Sequence, residues 1–166
     1  MCDLKQHEKY MAMAIEEAKK AAGIEEVPIG AVIIKNGEVV GRGFNRIETE
    51  QDPTCHAEII AIKDASSFLN SRRLIGCTMY VTTEPCSMCA GASVLARLDA
   101  IIAGAPSDKS GACGSVNNIL ESESLNHRVE YTVGVLGDEC SELISSFFRE
   151  LRATAECKNK VVEEFI

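Results

Sequence analysis

The sequence predicts an α/β domain of three layers, in which helices cover both faces of a central sheet. Two observations lead to this fold class. Apolar β-type runs alternate with stretches of helical periodicity along the 166 residues, and no repeat, low-complexity tract or Pro/Ser-rich linker interrupts them. Strands that are joined by helices are expected to pair in parallel. The length suits one core, so we expect residues 1–166 to form a single domain.

The N-terminal part of the chain predicts a helix followed by a β-hairpin. Residues 7–22 carry apolar side chains at helical spacing, and Gly23 ends the run. The β-type runs 29–34 and 38–44 are separated by Asn-Gly at 36–37. Because a type I′ turn needs positive φ at both central residues, Asn-Gly between two such runs is a strong signal for a tight hairpin.

The rest of the chain alternates helices and strands. After a polar loop over 46–53, the predicted elements are a helix over 54–62, a strand over 78–83, a helix over 86–95, strands over 101–104 and 131–135, and a helix over 138–156. Thr54 is expected near the N-cap of the first of these helices, and Pro85 is suited to the first turn of the second.

Composition narrows the class of protein. No apolar stretch approaches the roughly 20 residues that cross a bilayer. The polar N-terminus also lacks a secretory signal, so we expect no membrane partner and a cytoplasmic location. Eight cysteines in such a chain favour buried thiols, such as Cys77 and Cys113, and metal ligands over disulfides. The net charge of −8 argues against a broad nucleic-acid surface but leaves room for a local basic patch.

Two short motifs carry the candidate chemistry. A His-x-Glu motif starts at His56, and a Cys-x-x-Cys motif joins Cys86 to Cys89. The two cysteines are spaced i, i+3 on a predicted helix, so both can reach one metal ion, and His56 supplies a third ligand. Three protein ligands leave a tetrahedral position for water, which is typical of catalytic zinc. Glu58 is then the candidate group for moving protons.

The same residues leave a structural alternative open. A zinc site that only stabilises a fold usually has four protein ligands. The chain contains three histidines, and Cys55 lies next to His56, so a fourth ligand is possible but not obvious. A non-enzymatic, zinc-stabilised module therefore remains as the alternative to an enzyme.

The combined motifs resemble the signature of zinc-dependent nucleobase deaminases, His-x-Glu followed by Pro-Cys-x-x-Cys. Over nearly its whole length the chain resembles the bacterial tRNA-specific adenosine deaminases of the cytidine deaminase superfamily. The segments that carry this resemblance are VPIGAV at 27–32, DPT at 52–54, EPC at 84–86, MCAGA at 88–92, GACGS at 111–115, LNHRVE at 125–130 and FFRELR at 147–152.

The resemblance implies a cytidine-deaminase-like α/β/α fold with a central five-stranded mixed sheet. It implies one zinc ion per chain, a homodimer, and conversion of adenosine to inosine at the wobble position of a tRNA anticodon loop. The substrate-binding residues that it implies are Asn45, Val27, Pro28, Ala57 and Ser107. The amide of Asn45 can donate to and accept from a purine edge, although Asn45 also suits a turn at the end of a strand.

Three positions depart from the pattern of that family. Thr83 stands where the family usually has leucine, Ala103 where it has an aromatic residue, and Ser107 where it has aspartate. Together with the net charge of −8, these departures keep a second substrate class open. That class is a free nucleobase, a nucleoside or a related small amino-heterocycle.

Overall fold

The computed structural model describes residues 4–164, with side chains described through residue 154. The elements in chain order are α1 (Leu4–Ala22), β1 (Gly30–Lys35), β2 (Glu38–Phe44), α2 (Ile47–Glu50), α3 (Ala57–Phe68), β3 (Cys77–Thr83), α4 (Ser87–Ala96), β4 (Ala100–Ala105), β5 (Glu130–Val133) and α5 (Gly137–Glu164).

The five strands form one mixed sheet in the order β2-β1-β3-β4-β5. The β1–β2 hairpin is antiparallel and turns at Asn36 and Gly37, with φ of 51° and 86°, which confirms the predicted Asn-Gly turn. Strand β3 pairs with β1 antiparallel and with β4 in parallel. Because α4 connects β3 to β4, the parallel pairing expected for strands joined by a helix is confirmed here.

Helices cover both faces of the sheet, as alternate strand residues require. One face packs under α3 and α4, and the other packs under α1 and α5. The strand residues of the first face include Ala31, Ile33, Met79, Val81, Ile101 and Ala103. The strand residues of the second face include Val32, Ile34, Tyr80 and Ile102. The predicted three-layer α/β/α class with a five-stranded mixed sheet is therefore confirmed.

Small residues let α3 lie directly on β2. Gly43 faces the backbone of α3, where an added Cβ would lie 2.6 Å from the nitrogen of Ala61. On the helix side, Ala57, Ala61 and Ala65 are fully buried. Without larger side chains on either surface, the helix comes close to the strand. This contact fixes the height of the N-terminus of α3 above the sheet.

Thr54, expected near the N-cap of α3, lies two residues before the N-cap and does not cap the helix itself. Its amide and hydroxyl both donate to Oδ1 of Asp52, at 2.8 and 2.7 Å, so the side chain is engaged in a local turn. Helix α3 begins at Ala57, and His56 is its N-cap, with extended φ and ψ of −73° and 150°. Pro85 likewise lies one residue before the N-cap of α4, which is Cys86, rather than in its first turn.

Two further differences concern connections. The predicted polar loop over 46–53 contains the short helix α2. Strand β5 pairs with β4 in parallel, although turns rather than a helix connect them.

Cys77 and Cys113 are buried at 0% and 3% exposure, which confirms the expectation of buried thiols. Within the described part of the chain, none of the helices has the length and apolarity needed to span a membrane.

Candidate active site

The two motifs meet at the N-termini of two adjacent helices. Strand β3 ends at Thr83 and leads through Glu84 and Pro85 to Cys86, the N-cap of α4. His56 is the N-cap of α3, and the two helices pack on the same face of the sheet. The N-termini of both helices give this point a positive potential, which favours thiolates and other anions.

Three side chains form a compact cluster there. Ligand atoms of His56, Cys86 and Cys89 all lie within 4.8 Å of one another, and Nδ1 of His56 is 3.7 Å from Sγ of Cys86. Cys89 is fully buried in the first turn of α4, whereas His56 and Cys86 are half-buried. The cluster is thus closed on the side of the core and accessible on the other side.

The two thiols of the cluster differ in proton affinity. Hydrogen bonds from Cys89 and His56 lower the pKa of Cys86 to about 3. The hydrogen bond to Cys86 and burial raise the pKa of Cys89, so this thiol keeps its proton. The hydrogen bond with Cys86 also raises the pKa of His56, against the opposite effect of burial. A metal ion bound here must displace the proton of Cys89.

The donor set of this cluster fits a zinc ion. One imidazole and two thiol sulfurs are ligands that zinc prefers, and their spacing of less than 4.8 Å brings all three within reach of one ion. With three protein ligands, a tetrahedral site keeps one position for water or substrate.

Glu58 lies in the first turn of α3 beside this cluster. Its side chain is 3% exposed, and its Oε2 atom is buried without a hydrogen-bond partner. Burial raises the pKa of the Glu58 carboxyl, because the charged form loses its hydration. A buried carboxyl with a free oxygen and a raised pKa can both accept and return a proton.

Asn45 connects β2 to the N-terminus of α3. Its side chain is 2% exposed, and its Oδ1 atom accepts a hydrogen bond of 3.0 Å from the N–H of Ala57. The backbone N–H of Asn45 donates to the carbonyl of Ile29 at 3.1 Å, which ties it to the segment containing Val27 and Pro28. Val27 is half-buried, whereas Pro28 and Ala57 are buried. Asn45 therefore holds the His-x-Glu segment in place through the hydrogen bond to Ala57.

Ser107 begins a loop that packs beside Cys86. Gly111 of this loop forms an isolated antiparallel bridge with Cys86, and the N–H of Ala112 donates to the carbonyl of Pro85 at 2.9 Å. Ser107 itself is half-buried, and its hydroxyl lies 3.1 Å from that of Ser110. The loop thus joins the segment that carries Cys86 through backbone contacts.

Glu84 is the functional candidate that the motif interpretation missed. Its carboxylate is 3% exposed and accepts hydrogen bonds from Ser107, Cys113 and Ser115, all of them in the loop after β4. Burial opposes ionisation, but these hydrogen bonds outweigh it and lower the pKa of Glu84. A charged residue at the end of an otherwise uncharged strand was the available sequence signal.

Comparison with known proteins gives these residues a family context. A profile of MafB19-like deaminases matches residues 5–152. A tRNA-specific adenosine deaminase from Bacillus subtilis (strain 168) is 48% identical over 159 residues, covering 96% of this chain and 99% of that protein.

Two solved structures share the fold. A tRNA:A34 deaminase aligns with a TM-score of 0.79 and 38% identity, covering 81% of this chain and 98% of that one. A guanine deaminase from Bacillus subtilis aligns with a TM-score of 0.57 and 40% identity, covering 60% of this chain and 64% of that one. The expected cytidine-deaminase-like fold is confirmed, and so is the resemblance stated from the motifs. The chain belongs to the MafB19-like deaminases and to the family of tRNA-specific adenosine deaminases.

Proposed function

We propose that this chain deaminates adenosine to inosine at the wobble position of tRNA, as one domain over residues 1–166. The observation that carries the proposal is the cluster of His56, Cys86 and Cys89 beside the buried, unpartnered Oε2 of Glu58. The 48% identity to a tRNA-specific adenosine deaminase over 96% of the chain supports tRNA as the substrate.

His56, Cys86 and Cys89 are the residues that would hold zinc, one ion per chain. Bound zinc supplies Lewis-acid activation of water at neutral pH. The helix N-termini at His56 and Cys86 favour the two thiolates that this binding needs. We expect Cys86→Ala to lose zinc in metal analysis and to unfold at lower temperature, because metal binding is coupled to folding. A full zinc equivalent in that variant contradicts the ligand set.

Glu58 is the proton carrier of the proposed reaction. Its free Oε2 accepts a proton from the attacking water and delivers it to a ring nitrogen of the purine. It then takes the second proton from the hydroxyl that has added to the ring carbon and gives it to the amino group, which departs as ammonia. Burial raises the pKa of this carboxyl, which favours the protonated form that donates to the purine and to the leaving group.

The residues proposed to surround the substrate base are Asn45, Val27, Pro28, Ala57 and Ser107. The amide nitrogen of Asn45 is the donor that would meet a purine edge, because its oxygen already accepts from Ala57. Val27 and Pro28 would form one wall of the pocket, and Ser107 would lie at its mouth, on the loop that contacts Cys86.

A small amino-heterocycle is the second candidate substrate. The 40% identity to a guanine deaminase favours it, as does serine at position 107. That likeness covers 60% of the chain, against 96% for the tRNA-specific enzyme. Salt separates the two classes, because RNA binding releases counterions and weakens steeply as salt rises, whereas binding of a neutral base does not.

The deciding experiment incubates the zinc-loaded protein with an RNA anticodon stem-loop that has adenosine at the wobble position. Mass analysis of the nucleosides is expected to find inosine there. The matched control is Glu58→Gln, which keeps the size of the side chain and should retain zinc. We expect its rate to fall by about 10²–10⁴-fold, the usual contribution of general acid–base catalysis.

Two outcomes contradict the proposal. If folded, zinc-loaded protein forms no inosine in the stem-loop but releases ammonia from free purines, the substrate is a small molecule. If Glu58→Gln forms inosine at the wild-type rate, Glu58 is not the proton carrier.

We also propose a cytoplasmic homodimer. Two large apolar side chains, Phe68 at the end of α3 and Leu95 in α4, are 68% and 77% exposed on the outer side of the same layer. Contiguous apolar patches are typical of interfaces between subunits, and we propose that these two side chains belong to one such patch. Light scattering on the wild type and on Leu95→Lys tests it, with the mass of a monomer expected only for the variant.

A further inference from the structure

The loop between β4 and β5 is held at the site by one buried carboxylate. Oε1 of Glu84 accepts from the backbone N–H groups of Cys113 and Ser115, at 2.9 and 3.0 Å. Oε2 accepts from the N–H of Ser107 at 3.1 Å and from the hydroxyl of Ser115. All four donors belong to one loop, so the carboxylate acts as a common anchor for that loop.

The loop also packs closely against the carboxylate of Glu84. Gly111 faces the carboxylate, and a Cβ added there would lie 2.5 Å from Cδ of Glu84. Gly111 also bridges to Cys86, two residues after Glu84. A glycine at this place lets the loop close over the carboxylate and reach the metal-binding segment at the same time.

We propose that Glu84 is a positioning residue for the substrate: it fixes Ser107 and the loop that follows relative to Cys86, without touching the reacting atoms. The inference rests on the proposed function, because it assigns Ser107 to the substrate side of the site. It concerns binding of the nucleotide rather than binding of the metal. Glu84 has no place in the ligand cluster of His56, Cys86 and Cys89.

The geometry identifies the contact that fails when the carboxylate becomes an amide. In Glu84→Gln the amide oxygen can take the place of Oε1 and still accept hydrogen bonds from the N–H groups of Cys113 and Ser115. The NH₂ group then takes the place of Oε2, and the hydroxyl of Ser115 can rotate to accept from it. The N–H of Ser107 cannot rotate, so it faces another donor. The opposite orientation of the amide leaves two backbone donors unpaired and is therefore worse. The substitution thus releases Ser107 selectively.

The test compares Glu84→Gln with the wild type in zinc content, in steady-state kinetics on the wobble stem-loop, and in hydrogen exchange of the loop amides. We expect unchanged zinc, a rise of about tenfold in KM with a smaller change in kcat, and faster exchange at Ser107. Tenfold corresponds to the loss of about one hydrogen bond to a charged group. Glu17→Gln is the matched control, because Glu17 is 2% exposed and ion-paired but lies on α1.

Several results overturn the inference. They are unchanged KM and exchange in Glu84→Gln, loss of zinc with a fall in kcat alone, or an equal rise of KM in Glu17→Gln. If the wild type itself forms no inosine, the proposed function fails instead, and hydrogen exchange still decides whether Glu84 holds the loop. If Glu84→Gln does not fold, Ser115→Ala decides, because it removes one donor to Oε2. We expect about a threefold rise in KM for it, and an unchanged KM refutes the inference.

Discussion

The contact between Gly43 and α3 predicts how sensitive the site is to a single methyl group. In Gly43→Ala the new Cβ meets the carbonyl of Ala57 and lies 2.6 Å from the nitrogen of Ala61. Non-bonded heavy atoms pack at about 3.5 Å, and the carbonyl oxygen of Ala57 lies closer to the new Cβ than the nitrogen of Ala61 does, so strand and helix must separate by about 1 Å or more. Both obstacles are backbone atoms, which cannot rotate away. The N-terminus of α3, with His56 and Glu58, has to move with the helix.

The expected cost of this movement appears in both stability and rate. Overpacking of this kind costs about 1–3 kcal/mol, which lowers Tm by about 2–12 °C for a chain of this size. A displacement of about 1 Å at catalytic groups lowers the rate by about 10²-fold. Thermal unfolding and kcat on the wobble stem-loop measure these two quantities on one preparation, and metal analysis checks that the preparation is loaded with zinc.

Gly23→Ala is the control for adding a methyl group to a glycine. A Cβ at Gly23 meets its nearest neighbour at 3.4 Å, and the backbone there does not have a positive φ. We expect a change in stability within about 0.5 kcal/mol, as for other surface substitutions, and wild-type kcat. Wild-type Tm and kcat in Gly43→Ala refute the reasoning, because α3 then does not depend on its close approach to β2.

Two more predictions follow from buried polar groups. Asn45→Ala leaves the N–H of Ala57 without its acceptor and is expected to lower the free energy of unfolding by about 1–3 kcal/mol in denaturant titration. Asn45→Asp keeps the acceptor, so it should retain stability and lose affinity for the base. Equal destabilisation by both variants argues against this division of roles. Burial raises the pKa of Cys140 from 9.0 to about 12, so the folded chain keeps this proton to higher pH than the unfolded chain. Stability is therefore expected to fall as pH rises from about 9 towards 12, and melting curves of Cys140→Ala should show a weaker fall; identical pH profiles contradict the assignment.

Local sequence patterns were sufficient to predict most of the helices and strands. The Asn-Gly pair identified the hairpin, because its φ requirement is local. Alternation of apolar runs identified the layers, and the i, i+3 spacing of Cys86 and Cys89 identified a pair on one helix face. Thr54 is not the N-cap itself, because the chain turns at Asp52 and Thr54 before α3 begins at Ala57, with the hydroxyl of Thr54 donating to Asp52. Nothing in the propensity of a single residue records where such a turn ends and the helix begins.

The sequence by itself determined the chemistry of the site: one imidazole, two thiols and a carboxyl, in two motifs that each open a helix. Only the tertiary structure decided what holds those groups in place. Glu84 lies at the end of β3, yet its four hydrogen-bond donors come from a loop 23 to 31 residues further along the chain. Such contacts depend on how the sheet brings β3 and β4 together. A sequence pattern does not predict them, because hydrogen bonds form between neighbours in space, whatever their separation along the chain.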